Sequence, residues 1–391
     1  MPEVRRNSGF SDLILPHIQN TETLRLDRVS TFEELKRILQ SFPRSTSNLR
    51  SLSLSREWGG NLNWPNETCG PLSSTLTRLD LLGIPLSPSF LGLRTLTSLT
   101  LHTVLPNLHL NTLLDFLEEN RSLERVTLNV KFAQRYPRSS RRRVVIDRLR
   151  HLSMHCHNLT DFEALIPCLS VQRGGHLEIT VDCGDPRLNE VLPLVSTTRF
   201  PNLRSPTSMV YETLLTSIED QIYYYRNIQL LGPNGSSSFD DLTSPDEVEP
   251  FIDFPLLPLT DVLEFRLIRL GEVSAQKSLV FDPSFFPALE TLAVHCDSCA
   301  PHLFSTLFSN PSFPPRLKTL AFLDCDLTEV FISELTRFAS NREKSTSARL
   351  DRIVIINSEG ILPSVVLINE LRKHVRAVDV RVGEEFPSDL T

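Results

Sequence analysis

Tryptophan, methionine and glycine are scarce in this chain: two, three and fourteen of 391 residues. With so few glycines, no Gly-rich loop cradles a phosphate; neither a P-loop nor a G-x-G-x-x-G following a strand is present. G-x-S-x-G and H-E-x-x-H are missing too, which removes the common nucleophile-elbow and zinc-hydrolase patterns. Cations are not in excess. Lys and Arg total 40 against 47 Asp and Glu, a net charge of −7, which argues against nucleic-acid binding driven by phosphate contacts. No apolar run reaches the roughly 18–20 residues of a membrane span. The first residues, MPEVRRNSGFSDLILPHIQ, interrupt a short apolar stretch with Asp12, Pro16 and His17, so no signal peptide is expected. The seven cysteines are odd in number and scattered, which excludes a disulfide framework and predicts a reduced cytoplasmic or nuclear chain. In that setting the sequons at Asn66, Asn120, Asn158 and Asn234 stay unmodified.

What the chain does have is leucine at a fixed spacing. In Arg316–Ser340, RLKTLAFLDCDLTEVFISELTRFAS, Leu317, Leu320 and Phe322 occupy offsets one, four and six, with Cys325 at nine and Leu327 at eleven. This is the leucine-rich repeat pattern, L-x-x-L-x-L-x-x-N/C-x-L. Leu320 and Phe322 alternate as one face of a short strand. Val330, Phe331, Leu335 and Phe338 then recur three and four apart, the stripe of a helix. Asp326 or Thr328 can cap it, and Glu329 suits its first turn. Cys325 falls where such repeats bond the turn backbone, and is expected to be structural.

The same phase recurs clearly from Leu49, Leu76, Leu96, Leu123, Leu149, Leu289, Leu350 and Val375. It is weaker from Thr21, Gly174, Tyr225 and Thr260, and weakest from Phe200. Helical stripes follow several of these starts: TFEELKRILQSF, NTLLDFLEEN, TDFEALIPCL, PHLFSTLFSN and LPSVVLINELRKHV. The unit from Leu76 is short and carries Pro85 and Pro88, which predicts an extended or 3₁₀ return. About fourteen units fill residues 1–391. The expected fold is therefore α/β: a single leucine-rich-repeat solenoid, a horseshoe with parallel strands on the concave face and helices on the convex face. Residues 1–20 are read as an N-terminal cap, 232–253 as a mobile loop insertion and 383–391 as a polar tail. The insertion combines GPNGSSS with the acidic FDDLTSPDEVEPFID.

The C-terminal run, through LKTLAFLDCDLTEVFISELTRFASNRE and LDRIVIINSEGILPSVV to VRAVDVRVGEEFPSDL, resembles the leucine-rich tail of F-box proteins of basidiomycete fungi. LILPHIQNTETLRL resembles the place where the repeats of that family begin, just after the F-box. The resemblance implies the substrate-binding half of a Skp–cullin–F-box ubiquitin ligase receptor. Met1–Thr21 are too few for a three-helix F-box, so the ligase adaptor is an expected partner only if an F-box lies upstream. The alternative expectation is a free-standing repeat scaffold or inhibitor with no link to ubiquitin.

On either reading the chain is not an enzyme and needs no cofactor. Its expected partner is a protein bound on the concave face, with no nucleic acid and no membrane, the chain itself being monomeric. Expected contacts are Glu290, His295, Leu323, Arg352, Val354 and Ile356. Leu82, Leu323, Val354 and Ile356 would form apolar openings on an otherwise polar face; a terminal unit or the tail folding over them is the competing expectation.

Histidines gather on the same face. His102, His155 and His295 share offset seven. His151 and His176 share offset three on neighbouring strands, which places them about 5 Å apart. HCDSCAPH brings Cys296, Cys299 and His302 into a weak zinc-ligand pattern lacking a second pair, so no metal is expected. The basic stretch Arg135–Arg143 is a solvated loop, with nuclear import as its functional alternative.

Overall fold

The computed structural model describes residues 20–29, 48–56, 75–84, 86, 93–132, 143–171, 173–181, 188–195, 200–218, 221–243, 257–270, 282–296, 305–325, 328–346, 349–357 and 363–383. The fold is α/β and is dominated by mostly parallel sheet. The chain divides into two compact units. The first holds Met1–Thr180 and Leu194–Phe200; the second holds Val181–Pro193 and Pro201–Thr391.

The first unit contains strands β1 (Thr23–Val29), β2 (Ser51–Arg56), β3 (Arg78–Leu82), β4 (Ser98–Leu108), β5 (Arg125–Phe132), β6 (His151–Cys156) and β7 (His176–Val181), adjacent in chain order. Parallel pairing sets Leu24, Leu52, Leu79, Leu99, Val126 and Leu152 in one row, and Leu26, Leu54, Leu81, Leu101, Leu128 and Met154 in the next but one. All twelve are buried. Two apolar residues two positions apart in each strand therefore build a continuous core face.

A repeated backbone step fixes this register. The Arg50 and Ser51 amides donate to the Glu22 carbonyl, those of Thr77 and Arg78 to Arg50, and those of Glu124 and Arg125 to Thr97. Arg150 and His151 donate to Glu124 in the same way. One carbonyl at each strand entry thus takes two donors from the next strand, and a slip of one residue would turn the leucines outward.

Two helices follow strands here. α1 (Leu110–Glu119) buries Leu113, Leu114, Phe116 and Leu117, as its stripe predicts, and starts one residue before the expected Asn111. The side chain of Asn120 closes its last turn by donating to the Phe116 carbonyl at 2.8 Å. α2 (Leu159–Leu165) is capped by Asn158, which accepts from the Asp161 amide at 2.8 Å, and so starts one residue before the stripe TDFEALIPCL. The helical patterns predicted at 31–42 and the basic stretch at 135–142 lie outside the described residues.

The second unit contains α3 (Leu188–Val191), β8 (Ser208–Ile218), β9 (Gln221–Gly232), β10 (Gly235–Thr243), β11 (Glu264–Leu270), β12 (Thr291–Cys296), α4 (Ser305–Ser309), β13 (Thr319–Leu323), α5 (Glu329–Thr346), β14 (Leu350–Asn357), α6 (Val365–Arg372) and β15 (Val375–Val382). Its strands run in the order β10-β9-β8-β11-β12-β13-β14-β15. From β8 through β11 to β15 the pairing is parallel. Core rows again alternate: Met209, Phe265, Leu292, Leu320 and Ile353 in one, and Tyr211, Leu267, Val294, Phe322 and Ile355 in the other. Phe331 of α5 meets Phe322 edge-on, with centroids 5.4 Å apart, so this helix packs against the core face of β13. Thr328 caps α5 by accepting from the Phe331 amide at 3.2 Å.

Three expectations change here. Residues 232–243 are not a loop: β9 and β10 form an antiparallel hairpin closed by Pro233 and Asn234, while 244–253 lie outside the described residues. Serine-rich composition suggested a loop, but cross-strand pairing buries Ser237, Phe239 and Asp241. The Tyr225 start does bury Ile228 and Leu230, though in a strand antiparallel to β8. The remaining two changes concern phase. In place of the phases expected from Phe200 and Thr260, the buried positions are Pro206, Met209 and Tyr211, and Val262, Phe265 and Leu267; Leu263, taken as inward, is exposed. Apolar residues at 262, 263, 265 and 267 fit two registers, and pairing with Met209 and Leu292 selects one.

Candidate interaction surface

Because side chains alternate along a strand, the residues between the core rows share the other face of each sheet. In the first unit that face is small and polar. One row runs Thr23, Ser51, Arg78, Ser98, Arg125 and His151; another runs Arg25, Ser53, Asp80, Thr100, Thr127 and Ser153. A third runs Ser55, Leu82, His102, Asn129 and His155. Arg78 Nε donates to Asp80 at 2.9 Å, so its charge is held along the strand.

The histidines assemble as their shared offset predicts. The rings of His151 and His176 stack with centroids 5.0 Å apart. Glu178 Oε2 lies 3.6 Å from His151 Nε2. Burial lowers the pKa of His151, and His176 and Arg125 lower it further, while Glu178 pulls it up. The rings of His155 and His157 lie 4.8 Å apart, and His157 is hydrogen-bonded to Asn129. These two histidines, with Asn158 and Asp161, line a crevice together with Leu128, Val130, Met154 and Phe162. Asn158 Nδ2 donates to Asp161 at 2.6 Å, and the Phe132 amide donates to the same carboxylate at 3.3 Å. His157, Asn129 and Glu178 were not singled out from the sequence. The offsets that flagged His151 and His176 reach Glu178 as well, two residues further along the strand.

In the second unit the named contacts divide. Glu290, at the entry to β12, accepts from Lys318 Nζ at 2.8 Å. His295 is partly exposed and lies 3.7 Å from Asp324. Arg352 is gripped by Asp379, at 2.8 Å from Nε and 2.7 Å from Nη2. By alternation His295 and Arg352 share the face opposite the core rows, while Glu290 precedes β12.

Leu323, Val354 and Ile356 share that face but are not open. They are 3%, 0% and 1% exposed and form a buried cluster with Ala293 and Ala321. Leu82 alone matches the expectation, at 39% exposed. Alternation gives the face of a side chain; it does not give what lies above it.

Cys296 ends β12, while Cys299 and His302 lie outside the described residues. Among the described residues, no group of three or more His, Cys, Asp and Glu is placed to hold a metal ion. Cys325 is buried, with its thiol facing the Val294 and Leu323 carbonyls at 3.5 Å, as its structural reading required. No helix among the described residues is long and apolar enough to cross a membrane.

Next to Asp240, the Tyr225 hydroxyl donates at 2.6 Å. Burial first, and then this bond and the neighbouring carboxylates, push the Tyr225 pKa well above the usual phenol value. Asn227 joins the same carboxylate. The chemistry on these faces is that of hydrogen-bonded and ion-paired side chains arranged in rows. Compared with known proteins, the chain matches no family model and no curated sequence.

Proposed function

We propose that the chain is a non-catalytic recognition module built from leucine-rich repeats, and that the strand face opposite the core binds a segment of another protein. The observation that carries this reading is the in-register parallel pairing. It presents row upon row of Ser, Thr, Arg, His, Asp and Glu side chains at the roughly 4.8 Å spacing of neighbouring strands. A surface of that kind reads an extended partner through many modest polar contacts. The polar face of the first unit, around Arg125, His151 and His176, carries the contact in this proposal. Glu290, His295 and Arg352 extend the same role to the second unit.

The likeness of the C-terminal run to F-box leucine-rich tails supports one biological setting. In it the bound protein is a substrate for ubiquitin transfer, and the free-standing scaffold is the alternative. Affinity capture of the tagged native gene product from its source cells tests this. Recovery of a Skp-type adaptor and a cullin is expected. Capture of a partner without them moves the function to the scaffold. The face itself is tested by Arg125→Glu and His176→Glu, which should weaken capture of that partner at least tenfold; unchanged capture overturns the proposed surface.

A further inference from the structure

The polar strand face of the first unit differs in charge from the chain as a whole. The chain has a net charge of −7 and ten histidines. Five of those histidines gather on one face of β4–β7, each half-buried. His102 of β4 and His155 of β6 flank Asn129 of β5, one on either side. His157 is hydrogen-bonded to the same Asn129, and its ring lies 4.8 Å from that of His155. His151 of β6 sits directly beside Arg125 of β5 and stacks on His176 of β7. Fixed positive charge joins them. Alternation along β5 sets Arg125 and Lys131 on the side of Thr127 and Asn129. On β3 the charge of Arg78 is held by Asp80, two residues on, at 2.9 Å. The equivalent position after Arg125 is Thr127, so β5 supplies no such acid. Among the described residues of β4–β7, one carboxylate shares the face: Glu178, 3.6 Å from His151. Asp161, at the crevice beside His155 and His157, already accepts from the Phe132 amide and from Asn158.

Resting on the reading of this face as the partner surface, we propose that β4–β7 bind an acidic segment of the partner, and that His151 and His176 take up protons as its carboxylates settle beside Arg125. The occupant is a short extended run rich in Asp and Glu. Crossing from β4 to β7 covers three strand spacings, about 15 Å, which about five extended residues span. Imidazoles become cations as pH falls through about 6.5, a range in which Asp and Glu side chains keep their charge. Two fixed cations are too few for a phosphate backbone, whose binding is driven by many Lys and Arg contacts, so the face suits a protein segment. In the unbound chain, burial, then His176 and Arg125, lower the pKa of His151 against the pull of Glu178. An arriving carboxylate works with Glu178 to raise it. The bound form then holds the proton more tightly than the free form, and affinity rises as pH falls.

The probe is labelled deca-glutamate, with deca-glutamine as its uncharged control, titrated with the full chain at low salt at pH 7.5 and pH 6.0. Deca-glutamate should bind about fivefold or more tighter at the lower pH, and deca-glutamine should not bind. Calorimetry at pH 6.5 in two buffers of different ionisation enthalpy should read proton uptake by the parent chain as deca-glutamate binds. The double variant His151→Gln with His176→Gln, checked for cooperative melting, should lose most of the pH dependence, whereas His374→Gln in the second unit should keep it. No binding of deca-glutamate, equal affinity at the two pH values, no proton uptake, or a full pH dependence in the double variant overturns the proposal. Tighter binding of single-stranded decathymidylate overturns it in favour of nucleic acid. The reading of the face fails separately. If Arg125→Glu weakens capture of the native partner while deca-glutamate is not bound, the face is the partner surface and the acidic occupant is wrong.

Discussion

His151 and His176 lie face to face on neighbouring strands, 5.0 Å between centroids, with Glu178 3.6 Å from the His151 ring. Burial, and then His176 and Arg125, outweigh Glu178 and hold the folded pKa of His151 below its ordinary 6.5. The unfolded chain therefore binds more protons than the folded one between that lowered value and 6.5. Stability attributable to His151 is complete above 6.5, falls as pH drops through this window and levels off below the folded pKa. Urea midpoints taken at steps from pH 7.5 to 5 should show the fall, and His151→Gln should reduce it. The ring is partly exposed, so the effect is modest. Parallel pH profiles for the two proteins would contradict the assignment.

Leu320, in the core row of β13, and Lys318, at the exposed entry to that strand, test the burial of the row directly. Leu320 is fully buried in a core row; Lys318, two positions earlier, pairs with Glu290 at the surface. Leu320→Ala should cost about 2–5 kcal/mol, since its neighbours close only partly around the lost volume. Lys318→Ala should cost about 0–1 kcal/mol, the range of exposed ion pairs. Chemical denaturation measures both, and equal losses would contradict the burial of the core row.

The core rows were legible because leucine at offsets four and six leaves one register for a strand with a single greasy face. Leu52 and Leu54, or Leu320 and Phe322, are buried as read. The helix stripes at 110–119 and 329–346 were legible for the same reason, and Thr328 caps the second as read, but Val330, read as part of that stripe, is exposed. Ser236, Ser237 and Ser238 read as loop because they are held by pairing with β9 residues five to nine positions back, which their own composition does not announce. Close packing supports that hairpin: a Cβ on Gly232 would stand 3.0 Å from the Ser205 carbonyl oxygen, so a side chain there would push the Ser205 backbone away by a few tenths of an ångström. The face of Leu323, Val354 and Ile356 was legible, whereas their burial was not. A periodicity states direction and not what lies above a face. His151 and His176 came out at the expected separation because their offset is a property of the register itself.

The hairpin carries a buried ion pair between Arg226 and Asp241, directly opposite each other on β9 and β10. Both lie on the side of Ile228 and Phe239, which are fully buried. Arg226→Leu leaves the carboxylate without its cation, and Asp241→Leu leaves the guanidinium without its anion. Each should cost about 3–5 kcal/mol. The double replacement should cost much less than their sum, because two apolar side chains can share the space. A double-mutant cycle by urea denaturation reads the coupling directly. Additive losses would mean that the two residues do not act as a pair.

Arg342 is buried entirely, yet it serves carbonyls on one neighbouring turn. Nη1 donates to Pro311 at 2.9 Å, and Nη2 reaches the carbonyls of Pro314, Pro315 and Leu317 at 2.9, 3.2 and 3.0 Å. Burial lowers its pKa. Three of those acceptors belong to prolines, whose own nitrogens have no hydrogen to offer a turn, so a side chain must satisfy the loop that enters β13. Arg349 does the same before β15, donating to the Arg372, Lys373 and Val375 carbonyls. Arg342→Met keeps most of the side-chain volume but strands several buried acceptors, and should cost about 3–5 kcal/mol. Arg342→Lys should recover little of this. Its single ammonium cannot copy a planar fork that places two nitrogens on separate carbonyls. Thermal and urea unfolding of the two variants decide the matter: near-parental stability in Arg342→Lys would show that charge alone, and not the fork, holds the turn.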